Sequence, residues 1–279
     1  MVVLLDDFIW VSGVILFIAF VISLIIFSIY FIRKARKTSI EMERRDLYGY
    51  CIALFYLIIG ITYCIRLYFM FFLPPDRIVF VFNLVSTERI DPTIRFIWQV
   101  HMATAFLGIS LLMIGVETQV YKKFNYIISA ITLIFTPILI LTPYDLAHTL
   151  YLLPMGTPIV IILIYIYVGI QNPGSIRKNS FAIVAGWLIF VLGIILNSTT
   201  MRNMFNLGAF TTFKIGDFST DPYGTMAILY AQFELNGVIF YVFNILNSEF
   251  GAIIPAILAP ISLTTGFLIQ AAGYSRKFD

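Results

Sequence analysis

Nine ionisable or strongly polar residues stand in or beside long apolar runs: Arg66, Arg95, Gln99, His101, Glu117, Asp145, His148, Arg202 and Glu234. A charge placed in hydrocarbon is costly, so each such residue is a candidate for function. Arginine holds carboxylate or phosphate in a planar fork. Arg66, Arg95 and Arg202 therefore point to a small anionic ligand or a lipid headgroup. Each could instead snorkel to the headgroup layer. Together with Gln99, His101, Asp145, His148 and Glu234 they make one candidate ligand pocket on the outer side.

Around His101 the sequence is more specific. Thr104, Ala105 and Gly108 follow it at i+3, i+4 and i+7 and share its helical face. Small residues mark the faces on which membrane helices pack. His101 is therefore expected to point into the bundle, as an interhelical hydrogen-bonding group or a ligand contact. Asp145 is placed to cap a helix, with His148 in its first turn. Glu117 is an inner-side polar site, five residues before Lys122. An ion pair with a basic inner loop is the preferred reading there, with a proton site as the alternative.

Catalytic and cofactor signatures are missing. The chain has no His-Glu-x-x-His, no Gly-x-Ser-x-Gly and no P-loop. The last apolar run lacks a lysine for a retinal Schiff base, and the third and seventh runs lack receptor-type cytoplasmic motifs. No enzymatic centre, metal or cofactor is expected. His101 and His148 are the two histidines, so a single bis-His haem is the one cofactor geometry left to consider. Cys51 and Cys64 lie about 20 Å apart along one helix, beyond the roughly 7 Å reach of a disulfide.

The elements that position these residues are membrane spans. Of 279 residues, 60% are apolar and 12% charged, and mean hydropathy is +0.95. Soluble domains carry about 25% charged residues. The composition excludes a disordered chain, a soluble enzyme and a nucleic-acid binder. A helical span needs roughly 20 apolar residues. Runs of that kind cover about 8–32, 47–73, 93–120, 124–142, 146–170, 180–200 and 251–272. The first has no basic residue before it and is longer than a secretory signal's core, so a retained span is expected. The segment 226–246 carries Gln232, Glu234, Asn236 and Asn244 and is expected as an interfacial or re-entrant helix. An eighth span is the alternative.

Charge sets the orientation. With seven spans and the N-terminus outside, 12 of the 18 Lys and Arg fall on the inner side, as the positive-inside rule requires. The outer connections at about 74–92 and 201–250 are long and could pair as a lid or lie as interfacial helices. The basic loop 33–45 is expected to meet anionic lipid.

The sequence therefore predicts an all-α integral membrane protein, one seven-helix membrane domain in the cell membrane. The function expected is receptor-like or sensor-like, with an outward polar pocket and signalling through a membrane or cytoplasmic protein partner. A small-solute transporter or channel, and an accessory subunit of a membrane complex, are the alternatives.

Overall fold

In a computed structural model the described residues are 2–71, 92–143, 146–147, 150, 154–196, 234–235, 238–239 and 257–275. Seven helices dominate them: α1 (Val2–Glu41), α2 (Leu47–Phe71), α3 (Pro92–Gly115), α4 (Ile127–Leu141), α5 (Thr157–Gln171), α6 (Ser175–Leu196) and α7 (Ala259–Ser275). Among the described residues, four segments are long and apolar enough to cross a membrane: Val11–Glu41, Leu47–Tyr68, Arg95–Val120 and Ser175–Ile194. Ile127–Leu141 and Thr157–Gln171 are shorter apolar helices. These helices mark a membrane protein.

The helices pack as neighbours in chain order, α1 on α2, α2 on α3, α3 on α4, α5 on α6 and α6 on α7. Contacts between α1 and α7 close the ring, and a hydroxyl pair between Thr132 and Thr157 (2.9 Å) joins α4 to α5. Successive helices run in opposite directions. Gly49 lies against Ala35 and Gly60 against Leu24, while Gly108 lies against Ile59 and Gly115 against Cys51. One end of the bundle consequently gathers Arg33, Arg36, Lys37, Arg44, Arg45, Lys122, Lys123, Arg177 and Lys178.

Helix α1 continues past the apolar run, so residues 33–41 are helix where a basic loop is expected. Ala, Lys and Arg are good helix formers, and Lys37 pairs with Glu41 at i+4 (3.8 Å). The turn that follows has Glu43 at φ 50°. The Asp46 amide donates to Ser39 Oγ (2.8 Å), and Asp46 Oδ1 accepts from the Gly49 amide (3.0 Å), capping α2. Lys34 Nζ donates to the Ser275 carbonyl and ties α1 to the end of α7. Helix α6 also begins earlier than expected, at Ser175, after Gly174 at φ 77°. Arg177 thus sits in its first turn and donates from Nε to the Gly169 carbonyl of α5 (3.2 Å).

Helices α6 and α7 approach most closely through glycine. A Cβ on Gly186 would lie 2.6 Å from the Gly266 carbonyl oxygen, and one on Gly266 would lie 2.7 Å from the Gly186 carbonyl oxygen. Gly193 against Leu263 and Gly273 against Ile183 extend the same seam. Small residues that let backbones meet are the usual basis of helix packing in lipid. Inside the ring an aromatic core joins α1, α2, α6 and α7: Phe267 lies 5.7 Å from Phe20, 5.8 Å from Phe55, 5.4 Å from Tyr56 and 4.4 Å from Phe190. The outward faces carry exposed Ile15, Leu57, Ile134, Leu163, Leu188 and Leu268, the surface a lipid solvent accepts.

Within 226–246 the described residues form no helix. Glu234–Leu235 pairs antiparallel with Val238–Ile239. The intervening sequence is Asn236-Gly237, the pair that most favours a two-residue hairpin loop.

Candidate functional site

Apart from Glu234, the described pocket candidates lie on α2 and α3, toward the end opposite the basic one. Arg66 and His101 interact electrostatically across the two helices, and Tyr63 on α2 also interacts with Arg66. His101 is buried, 7% exposed. The Nε atoms of Arg66 and Arg95 are both shielded from solvent. One turn below, Thr62 Oγ1 donates to Thr104 Oγ1 (3.2 Å), which itself bonds the Val100 and His101 carbonyls. The face of His101, Thr104 and Gly108 is thus the face that α3 turns to α2.

Gln99 belongs to a different job. It is buried, and its Nε2 donates to the carbonyls of Leu139 (2.9 Å) and Thr142 (2.7 Å) at the end of α4. In an unbroken helix the Leu139 carbonyl would accept from residue 143. That residue is Pro143, which has no N–H. Gln99 supplies the missing donor.

Glu117 does the matching work at the other end of α4. It sits in a π-turn, Val116–Val120, closed by the Tyr121 amide donating to the Val116 carbonyl (2.8 Å). Its carboxylate accepts from the amides of Ile128 (3.1 Å) and Ser129 (3.3 Å) and from the Ser129 hydroxyl. Asn125 and Tyr126, both left-handed, turn the chain back so that the start of α4 meets this carboxylate. An anion at a helix N-terminus is favoured by the free amides and the helix dipole. The ion pair expected from sequence is replaced by this cap, and no Lys or Arg among the described residues is within ion-pair range of Glu117.

Asp145, His148 and Arg202 lie outside the described residues. Glu234 is the first residue of the short hairpin. The structure therefore brings Arg66 and His101 together, places Arg95 on the same helix as His101, and takes Gln99 away into a helix cap.

A second polar cluster has no counterpart in the sequence reading. Tyr48 and Tyr165 share a hydroxyl hydrogen bond (2.6 Å). The Tyr165 and Tyr274 rings meet edge to face, 5.9 Å between centroids, and Trp187 Nε1 donates to the Tyr274 hydroxyl (3.2 Å). This buried cluster links α2, α5, α7 and α6 near the basic end. Four aromatic residues spread over 227 positions give no local pattern that would reveal it. No group of three or more metal-ligating side chains occurs among the described residues. Compared with protein-family models, curated proteins and solved structures, the chain matches none.

Proposed function

We propose that the chain crosses the cell membrane seven times, with its N-terminus outside, and acts as a receptor-like or sensor-like protein for an anionic group. The observation that carries this reading is the Thr62–Thr104 hydrogen bond between α2 and α3, which sets Arg66 and His101, one turn away on each helix, on facing sides. A guanidinium beside an imidazole that can donate an N–H offers an anion both charge and hydrogen bonds inside an apolar bundle. Arg95, on the same helix as His101, adds a second guanidinium. Binding there is read through the bundle by a separate protein partner at the basic end, where anionic lipid also docks. Asp145, His148, Arg202 and Glu234 complete the outer rim in this proposal.

The test is thermal stability of the purified protein with inorganic phosphate and, separately, in nanodiscs of phosphatidylglycerol or phosphatidylcholine. Stabilisation by phosphate identifies a free anion, and stabilisation by phosphatidylglycerol alone identifies a headgroup. Arg66→Lys should abolish either effect, because an ammonium cannot reproduce the bidentate fork. An identical response in the parent and Arg66→Lys removes Arg66 from the site.

A small-solute carrier or channel is the second reading, favoured by the buried tyrosine cluster Tyr48, Tyr165 and Tyr274 within the bundle. Carriers place polar groups inside their helices. Uptake of small solutes into proteoliposomes, lost in Tyr165→Phe, would favour it over the receptor reading.

A further inference from the structure

Two fully buried polar side chains lie beside the tyrosine cluster and outside the pocket discussed above. Gln270 of α7 and Tyr56 of α2 are each 0% exposed. Neither the Gln270 Oε1, nor its Nε2, nor the Tyr56 hydroxyl has a hydrogen-bond partner among the described residues. A glutamine amide offers two N–H donors and a carbonyl acceptor, and a phenol adds a donor and an acceptor.

Their surroundings are shared. Phe267, Gln270 and Tyr274 follow one another at three- and four-residue spacing and lie along one face of α7. Phe267 meets the Tyr56 ring edge to face, 5.4 Å between centroids. Tyr274 accepts the Trp187 hydrogen bond, and its ring meets that of Tyr165 at 5.9 Å. Phe31 and Phe55 flank the Tyr56 ring at 5.5 and 5.3 Å, and the Tyr48 and Tyr274 rings lie 6.2 Å apart. The Gln270 side chain passes Gly186 of α6, where a Cβ would come within 2.6 Å of its Cγ. Gly186 therefore makes the room through which the amide reaches the interior.

We propose that Gln270 and Tyr56 form a site for bound water between α2, α6 and α7, continuous with the Tyr48, Tyr165, Tyr274 and Trp187 cluster. The cluster is neutral throughout, so it suits an uncharged molecule that both donates and accepts. Water is the smallest such molecule, and buried waters typically make about three hydrogen bonds to groups of this kind. The site explains why an amide is placed on the packed face of α7 where leucine or phenylalanine would otherwise serve. Its water is a structural link between the closely packed α6–α7 pair and α2.

The test combines a mutant cycle with footprinting of the unaltered protein in nanodiscs. Gln270→Leu and Tyr56→Phe should each lower the unfolding temperature, and the double variant should lose less than the sum, because the same water is lost in each. A Gln270→Leu protein as stable as the parent, or more stable, overturns the proposal, since deleting an unsatisfied amide is neutral or favourable. X-ray footprinting does not depend on the variants folding. Hydroxyl radicals made from bound water should oxidise Tyr56 or Tyr274 despite their burial. Absence of label at both, with surface tyrosines labelled, also overturns it.

Discussion

Gln99 and Glu117 stand 18 residues apart in the α3 segment and hold the two ends of one neighbouring helix. Eighteen residues are five turns of an α-helix, about 27 Å, so both side chains emerge on one face. Gln99 donates to the last carbonyls of α4, and Glu117 accepts from its first amides. The donor is at the negative end of the helix dipole and the anion at the positive end, each in its favourable place. The short α4, with Pro137 inside it, is thereby fastened at both termini to a longer helix.

Removing the donor should loosen that fastening. Gln99→Leu leaves the Leu139 carbonyl buried without its partner, a loss of about 1–3 kcal/mol. A lower unfolding temperature in detergent checks it. Gln99→Glu should be worse, because a carboxylate faces two carbonyl oxygens.

The cap at the other end behaves differently. Glu117→Ala leaves two amides unsatisfied and should cost about 1–3 kcal/mol. Glu117→Gln retains an accepting oxygen and should cost less. Hydrogen exchange at Ile128 and Ser129 should rise in Glu117→Ala. Unchanged protection at both amides would show that the carboxylate does not hold them.

Glycine at the α6–α7 seam should be intolerant of even one carbon. Gly186→Ala and Gly266→Ala each drive a methyl onto backbone within 2.7 Å, and overpacking of that kind costs about 1–3 kcal/mol. Gly156 is the control, because a Cβ there meets nothing within 4 Å. Its alanine variant should unfold at the parental temperature.

The seven-span assignment predicts sidedness. Single cysteines placed near Arg44, Lys122, Arg177 and Arg276 should all resist a membrane-impermeant reagent added outside intact cells. Outside labelling of the Arg276 site alone would mean an eighth crossing. Labelling of all four would invert the orientation.

Much of this architecture is legible in the residue string. Each apolar run is a local property, and four of the runs lie on described helices long and apolar enough to cross a membrane, while Ile127–Leu141 and Thr157–Gln171 are shorter helices than their runs predict. The face of His101, Thr104 and Gly108 is equally local, since helical spacing fixes which side chains share a side. Two further local signals stand in the sequence. Pro143 four residues after Leu139 announces a carbonyl in need of a donor, and Asn236-Gly237 announces a hairpin. The helical extension of α1 to Glu41 was hidden because hydropathy stops at Arg33 while helix propensity does not.

By itself, then, the sequence determined the solvent of this protein, the runs that face it and the end on which basic charge collects. Only the tertiary structure decided what each buried polar group is for. Gln99 and His101 look alike as polar residues on one apolar helix, yet Gln99 closes α4 and His101 lies on the face turned to α2. Glu117, five and six residues before Lys122 and Lys123 in sequence, finds amides instead. The reason is physical. Burial in lipid is decided residue by residue from transfer free energy, whereas a hydrogen bond needs a partner, and partners such as Tyr48 and Tyr274 meet only when separate helices pack.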